Sequence, residues 1–223
     1  MEILFALPAA FFAPAIHEYT KTITSTAQGD PTPRNRGFLT LNPLKFFEPI
    51  GFLLMLFFGG LGWGQPVPTG SLHYKNRARA TLITYATPIV VNLLVGIASI
   101  VALSLWARGN VIPGVPMASV DQFLLTRVYF IRNFEFDPAM IGKTILFAFA
   151  QMNILLALFN LIPVHPLSMS KIVQIYVRPD TRVKLNHYEK PMQIVLILAM
   201  VLRLVGTIFY PVWSALLRAF WVF

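Results

Sequence analysis

The residues best suited to chemistry are three ionisable side chains inside the first apolar stretch of the chain. Residues 3–22 are apolar up to Ile16 and then continue as HEYTK, which brings His17, Glu18 and Lys21 together. On a helix, residues three or four positions apart share a face, so Lys21 lies one turn from His17 and next to Glu18. Charged groups inside a membrane span are costly, and this cluster is therefore a candidate functional site.

The spacing of this cluster matches a zinc-binding motif in which one ligand is replaced. In HExxH, two histidines at i and i+4 bind zinc, and the glutamate acts as general base on a metal-bound water. Lys21 occupies the second histidine position, and an ammonium group has no lone pair for a metal. Taken alone, the cluster also fits an interfacial group near a helix end, with the lysine reaching the lipid headgroups.

The composition is that of a membrane protein. Of 223 residues, 56% are hydrophobic and 12% are charged, about half the charged fraction of soluble domains. Soluble globular and disordered proteins are excluded. The chain has no cysteine, which excludes disulfides, zinc-thiolate sites and iron–sulfur clusters. The net charge of +9 indicates cytoplasmic loops and anionic lipid headgroups as partners, with no nucleic acid.

The apolar stretches predict an all-α polytopic membrane protein with about four transmembrane helices. We expect a single membrane domain, residues 1–223, with a core at 3–175 and a C-terminal helix and aromatic tail at 191–223. Residues 50–64 are apolar but reach only roughly 22 Å as a helix, which is short of a ~30 Å bilayer core and predicts a re-entrant segment. A small β-hairpin-like loop completes the expected fold. The predicted spans are 3–22, 81–106, 138–161 and 192–210.

Two further expectations concern the ends and the orientation. Pro211 is expected to break the last span before a tail whose aromatic residues form an interfacial belt. If residues 50–64 re-enter, eleven basic residues fall on one side, and the positive-inside rule places them in the cytoplasm with the amino terminus outside. A bacterial inner membrane is the expected location. The tail residues are Trp213, Phe220, Trp221 and Phe223, and the basic residues are Arg34, Arg36, Lys45, Lys75, Arg77, Arg79, Lys171, Arg178, Arg182, Lys184 and Lys190.

Six short motifs are spread over nearly the whole chain. Together they resemble the site-2 proteases, which are intramembrane zinc metalloproteases, and in particular their compact bacterial branch. The motifs are Pro14-Ala15-Ile16-His17-Glu18, GDPTP at 29–33, GFLTLNPL at 37–44, GGLGWGQPVP at 59–68, Ala86-Thr87-Pro88 with Asn92-Leu93, and LFNLIPVHP at 158–166.

The resemblance also implies where the zinc ligands should be. In the family the last motif continues into Leu-Asp-Gly, whose aspartate is the third ligand, whereas this chain has Ser168-Met169 there. Only His17 remains of the three ligands, because Lys21 replaces the second. We therefore predict a degenerate site without metal or other cofactor, and a pseudoprotease that is not an enzyme, with His17, Glu18, Lys21 and Ser168 as vestiges. Lys21 is expected to pair with Glu18 and with the Ser168 hydroxyl.

The expected role of such a protein is binding. Residues 38–41, which are Phe38, Leu39, Thr40 and Leu41, resemble the family's edge strand and imply capture of an extended partner by strand addition. Asn160 is expected to face the old cleft. The predicted function is to bind or stabilise membrane subunits or transmembrane helices as an accessory subunit. The alternative is an active intramembrane metalloprotease that uses His17 and His165 as ligands and Glu18 as base.

Overall fold

The framework of the fold is a set of long apolar helices joined by short ones. The computed structural model describes residues 2–107, 110–112, 115–116, 121, 124, 127–128 and 137–221. Its α-helices are α1 (Glu2–Ala27), α2 (Thr32–Asn35), α3 (Pro49–Phe57), α4 (Arg77–Ala107), α5 (Pro138–Phe159), α6 (Ser168–Val173), α7 (Pro179–His187), α8 (Glu189–Val201) and α9 (Leu204–Ala219), with 3-10 turns at Pro43–Phe46 and Ser71–His73.

The long helices account for the predicted membrane spans. Three of them, α1, α4 and α5, are long and apolar enough to cross a bilayer, and α8 with α9 makes a fourth if this bent pair counts as one span. The prediction of about four transmembrane helices is confirmed. Helix α5 begins as its sequence predicts, because the Asp137 carboxylate accepts a hydrogen bond from the Ala139 amide at 2.9 Å and Pro138 takes the first helical position. Helices α1, α4 and α5 pack against one another around the buried core.

The predicted re-entrant segment is confirmed. Helix α3 has nine residues, too few to span a bilayer, and an extended segment returns beside it. The Gln65 amide donates to the Phe46 carbonyl at 2.8 Å, so the segment ends where it began. The returning segment lies so close to α3 that a Cβ on Gly62 would overlap the Gly51 carbonyl and Met55.

The predicted β-hairpin-like loop is not seen at Phe38–Leu41. These residues form bends, in which the Phe38 amide donates to the Pro33 carbonyl and the Thr40 amide to the Phe38 carbonyl. The backbone is therefore folded onto itself instead of extended. Two very short segments, β1 (Asn110–Ile112) and β2 (Val115–Pro116), pair antiparallel in the loop before α5, with residue 110 opposite residue 116 and residue 112 opposite residue 115.

The C-terminal region differs from the prediction of one straight span at 192–210. Helix α8 ends at Val201, Arg203 adopts a left-handed φ of 61°, and α9 leaves at 65° to α8 and continues through Pro211. The bend brings the Tyr210 hydroxyl to the Phe58 carbonyl, at 2.9 Å. The last helix thus contacts the turn of the re-entrant segment.

The predicted aromatic belt is also corrected. Trp213 and Trp221 are 6% and 4% exposed and belong to the main hydrophobic core, where Trp213 packs edge-to-face on Phe147 with ring centroids 5.6 Å apart. Phe220 is the exposed member, and Phe223 lies outside the described residues. Burial against α5 removes both indoles from the surface, so the tail is part of the fold.

The close return of the re-entrant segment gives a first prediction. The change Gly62→Ala places a methyl group where Gly51 and Met55 leave no space, and we expect a loss of roughly 1–3 kcal/mol in the free energy of unfolding. Thermal unfolding of the purified protein in detergent measures this. The exposed neighbour Gln65 serves as control, since Gln65→Ala should leave the midpoint unchanged. An unchanged midpoint for Gly62→Ala would contradict the close packing.

Candidate functional site

A buried hydrogen-bonded chain joins three helices at His17. The imidazole lies on α1, its Nε2 is 2.9 Å from the Ser168 Oγ at the start of α6, and its Nδ1 is 3.2 Å from the Asn92 Oδ1 on α4. His17, Asn92 and Ser168 are 3%, 0% and 1% exposed. The first and last members are 151 positions apart in sequence, so the site exists only in the folded chain.

The neighbours of Asn92 fix the proton positions in this chain. The Asn92 Nδ2 donates to the Ala13 carbonyl at 3.1 Å and to the Asn153 Oδ1 at 3.0 Å, so its Oδ1 must face His17. Because Oδ1 only accepts, the His17 Nδ1 carries the proton and Nε2 offers a lone pair. The Ser168 hydroxyl therefore donates to Nε2. Asn92 and Asn153 thus form a hydrogen bond between α4 and α5.

Asn160 positions the backbone of Ser168. The Asn160 Oδ1 accepts from the Ser168 amide at 3.0 Å, its carbonyl accepts from the Met169 amide at 3.1 Å, and its own Nδ2 donates to the Leu156 carbonyl at 2.9 Å. Asn160 is only 4% exposed. Its side chain thus holds the loop after α5 in place, and its predicted contact with a partner stays a prediction.

The predicted ion pair between Lys21 and Glu18 is confirmed. The Lys21 Nζ lies 2.6 Å from the Glu18 Oε1, with both side chains buried. The other carboxylate oxygen, Oε2, accepts from the Val67 amide at 2.9 Å. Lys21 also lies over the Tyr85 ring, 5.4 Å from its centroid. The expected bond from Lys21 to the Ser168 hydroxyl is wrong, because Ser168 bonds to His17 instead.

His165 is not brought to His17 in the way the alternative ligand set requires. Its Nδ1 lies 3.4 Å from the Glu189 Oε1, which also accepts a 2.8 Å bond from Lys171. Burial lowers the pKa of His165, Glu189 raises it and Lys171 lowers it, and the net shift is downward. The imidazole is therefore mainly neutral at pH 7 and belongs to a cluster with Glu189 and Lys171.

Asp30 forms a second buried polar cluster where α1 ends. Its carboxylate accepts from the Ser25 hydroxyl at 2.8 Å, the Thr32 amide at 2.9 Å and the Gly70 amide at 2.7 Å. Burial raises the pKa of Asp30, but these hydrogen bonds outweigh it and hold the pKa below its ordinary value. Since Gly70 is 40 residues further on, Asp30 ties the end of α1 to the segment that follows the re-entrant turn.

The predicted partner-binding residues Phe38–Leu41 lie at the surface in part. Phe38 is buried against Phe46, with ring centroids 6.0 Å apart, and Lys45 lies over its ring. Leu39 and Leu41 are 41% and 82% exposed. Capture of a partner at these residues therefore stays a prediction, and the exposed leucines are the part available for it.

Sequence reasoning missed several members of the site. Asn92 belongs to the Asn92-Leu93 motif, but the sequence analysis gave it no part in the site. The Val67 amide carries no side-chain signal, so its bond to Glu18 could not be read from the sequence. Asp30 also lies within a quoted motif, GDPTP, but its partner Gly70 is visible only in the fold.

One comparison with known proteins bears on this site. The chain is 27% identical over 201 residues, 90% of its length, to the Bacillus subtilis (strain 168) protein named "Putative zinc metalloprotease YwhC", of which it covers 81%. The chain has the helices of an integral membrane protein. No family model matches it, and no solved structure matches it. The similarity to a protein named as a zinc metalloprotease supports the family resemblance expected from the motifs.

The same comparison corrects one prediction. The prediction that the chain is not an enzyme is contradicted, because the protein to which 90% of the chain is similar is named as a metalloprotease and points to a protease. The substitutions at residues 21 and 168 had suggested loss of activity. They establish only that the side chains at two expected ligand positions differ from the family pattern.

The buried ion pair gives a second prediction. Lys21→Ala leaves the Glu18 carboxylate buried without its counter-charge, and we expect a loss of roughly 3–5 kcal/mol in the free energy of unfolding. Lys21→Met combined with Glu18→Gln should lose much less, because no buried charge remains. Thermal unfolding in detergent and membrane abundance provide the measurement. Exposed Lys190→Ala is the control, and an unchanged midpoint for Lys21→Ala would remove the structural role of the pair.

The lowered pKa of Asp30 gives a third prediction. A carboxyl whose pKa is lower in the folded state stabilises the fold fully above its ordinary pKa of about 3.9, and that contribution disappears as the pH falls through the folded-state pKa. Asp30→Asn should therefore lower the unfolding midpoint most at pH 7 and progressively less below about pH 4. Exposed Asp180→Asn is the control. A difference independent of pH would argue against an ionised Asp30.

Proposed function

We propose that this protein is an intramembrane protease that cleaves membrane-embedded polypeptides at the buried site around His17. The observation that carries the proposal is the contact of the His17 imidazole with the Ser168 hydroxyl inside the apolar core of the helix bundle. A buried histidine with an available lone pair beside a hydroxyl can move a proton during hydrolysis. The similarity to a protein named as a metalloprotease supports the same reaction class.

The relative's name implies a zinc ion, and the residues around His17 do not fit one. Both imidazole nitrogens are engaged, by Asn92 and by Ser168, and the Lys21 ammonium would repel a dication. Catalytic zinc in proteins takes three protein ligands and one open position. Within the described part of the chain, no group of three His, Cys, Asp or Glu residues lies close enough together to hold a metal. The chemistry must then come from the chain's own side chains.

Substrate binding is expected on surfaces that face the bilayer. Leu39 and Leu41 are exposed beside α1, where an extended apolar segment can pack on them. Helices are poor protease substrates because their peptide groups are shielded by internal hydrogen bonds. The proposed substrate is therefore a transmembrane segment with a locally unwound stretch. We propose that the amino terminus is outside and the basic loops are cytoplasmic, where they contact anionic lipid headgroups.

A second candidate function is the binding of membrane partners as part of a larger complex. The observation in its favour is an apolar groove of about 740 Å³ between α8, α9 and the loop after α5. Apolar grooves of this kind accept helices or acyl chains from the bilayer. Residues that line the groove include Ile162, Val164, Met192, Leu196, Val205 and Phe209.

Proteolysis by the purified chain tests the proposal. The full chain is reconstituted in phosphatidylethanolamine–phosphatidylglycerol vesicles with a synthetic single-span peptide of about 20 apolar residues interrupted by a central Gly-Pro pair. We expect two product peptides by mass spectrometry, and His17→Gln should slow their formation roughly 100-fold or more, because it removes the proton acceptor.

The control variant also removes a single histidine. His187 is exposed and far along the chain in α7, so His187→Gln should cleave at the wild-type rate. A peptide that stays intact, or that is cleaved equally fast by the His17 variant, would contradict the proposed protease. Capture of the peptide without cleavage would favour the partner-binding function.

A further inference from the structure

We propose that Ser168 is the nucleophile of a serine-peptidase centre in this protein, with His17 as its general base and Asn92 as the residue that orients His17. The inference rests on the proposed protease function and supplies its chemistry. The inference gives Ser168 a catalytic role at the position where the family resemblance implied a zinc ligand.

The geometry is that of a nucleophile, a base and an orienting group in series. The Ser168 Oγ is 2.9 Å from the His17 Nε2, and the His17 Nδ1 is 3.2 Å from the Asn92 Oδ1. A nucleophile within hydrogen-bond reach of a base that a third group orients is the signature of an activated serine or cysteine. Asn92 takes the place that an aspartate or asparagine has in other triads.

The surrounding network holds the histidine in the required protonation state. An activated serine needs a neutral imidazole with its lone pair on the nitrogen that faces the hydroxyl. Because the Asn92 amide is fixed by Ala13 and Asn153, its oxygen selects the tautomer protonated at Nδ1. The backbone amide of Ser168 is fixed by its hydrogen bond to the Asn160 Oδ1. Both ends of the triad are thus preorganised by second hydrogen bonds.

Glu18 is not placed to act as the competing base. One of its oxygens is paired with the Lys21 ammonium, and the other accepts from the Val67 amide. The carboxylate is therefore engaged on both sides, whereas the His17 Nε2 faces the Ser168 hydroxyl directly. The proton of Ser168 goes to His17.

The reaction balances with water as the second reactant. The Ser168 Oγ attacks the peptide carbonyl carbon and its proton passes to the His17 Nε2, giving a tetrahedral intermediate. The C–N bond breaks as the imidazolium returns this proton to the leaving amine, which leaves an ester on Ser168. Water then attacks the ester with loss of its proton to His17, and the proton goes back to the Ser168 oxygen as the acid product leaves.

A polar cavity lies near the site, and its lining does not include His17 or Ser168. A cavity of about 440 Å³ lies between the start of α4 and helices α6 and α7, and it is lined by Thr69, Tyr85 and Lys171 among others. Tyr85 contacts Lys21, and Lys171 belongs to the same short helix as Ser168. His17 and Ser168 are themselves closed off here, so a substrate enters only when the segments around them move.

A fluorophosphonate probe with a fluorescent reporter tests the nucleophile directly. Purified full-length protein in detergent should be labelled at Ser168, located by peptide mass spectrometry. Ser168→Ala should abolish the labelling, and His17→Gln should slow it roughly 100-fold or more. The matched control is Ser170→Ala, two residues on in the same helix, whose hydroxyl bonds to the Leu167 carbonyl and which should label like the wild type. Labelling of folded wild type no faster than Ser168→Ala overturns the proposal.

A thiol variant keeps the test decisive if Ser168→Ala folds poorly. Because the chain has no cysteine, Ser168→Cys introduces a single thiol whose alkylation by iodoacetamide can be followed alone. Removal of the thiol proton by His17 should make it react about tenfold or more faster than the same thiol in a background carrying His17→Gln. Equal rates overturn the proposal.

Further variants test the role of Asn92, and the outcome of peptide cleavage separates the serine centre from the protease proposal. Asn92→Asp, which still accepts from His17 Nδ1, should keep more of the labelling rate than Asn92→Ala, and both rates are compared on protein shown to be folded. Peptide cleavage that survives Ser168→Ala but stops with 1,10-phenanthroline and returns with zinc would overturn the serine centre and leave the protease standing. Labelling of Ser168 without peptide cleavage would sustain the serine centre and contradict the protease.

Discussion

The structure depends first on neutralising a carboxylate inside a membrane helix. Glu18 is buried inside the helix bundle, where an isolated charge is very unfavourable. The Lys21 ammonium one turn away gives it a counter-charge, and the Val67 amide satisfies the remaining oxygen. Through Val67, the same carboxylate holds the returning arm of the re-entrant segment against α1. Removing the counter-charge would thus disturb both the helix and the segment packed on it.

Apart from the Asp30 cluster at the end of α1, the buried polar groups around this pair form two networks with different purposes. In the first network, one Glu18 oxygen is paired with the Lys21 ammonium and the other with the Val67 amide, so this network is structural. The second runs from Asn153 through Asn92 and His17 to Ser168, and it ends on a hydroxyl that donates to an imidazole. The first network balances charge, and the second keeps a proton acceptor in place. The separation explains how a chain with Lys21 and Ser168 at two positions where the resemblance implied ligands is folded around the same buried position.

Much of this arrangement could be predicted from the sequence, because it follows from local rules. The membrane spans come from apolar length, the re-entrant segment from a stretch too short to cross, and the pairing of Glu18 with Lys21 from their helical spacing. The partners of Ser168 and the burial of Trp213 depend on contacts between residues far apart, which spacing does not encode. The break at Arg203 was missed because Pro211 carries the local signal for a helix end, whereas the arginine at the break carries none.

That contact, from the Tyr210 hydroxyl to the Phe58 carbonyl, also bears on how the chain is made. The two groups are 152 residues apart, so the carbonyl is synthesised long before the hydroxyl that donates to it. The same carbonyl also accepts from the Leu61 amide at 3.2 Å, three residues further on. The turn therefore has a local donor while the rest of the chain is being made, and the Tyr210 hydroxyl adds a second donor once α9 has formed.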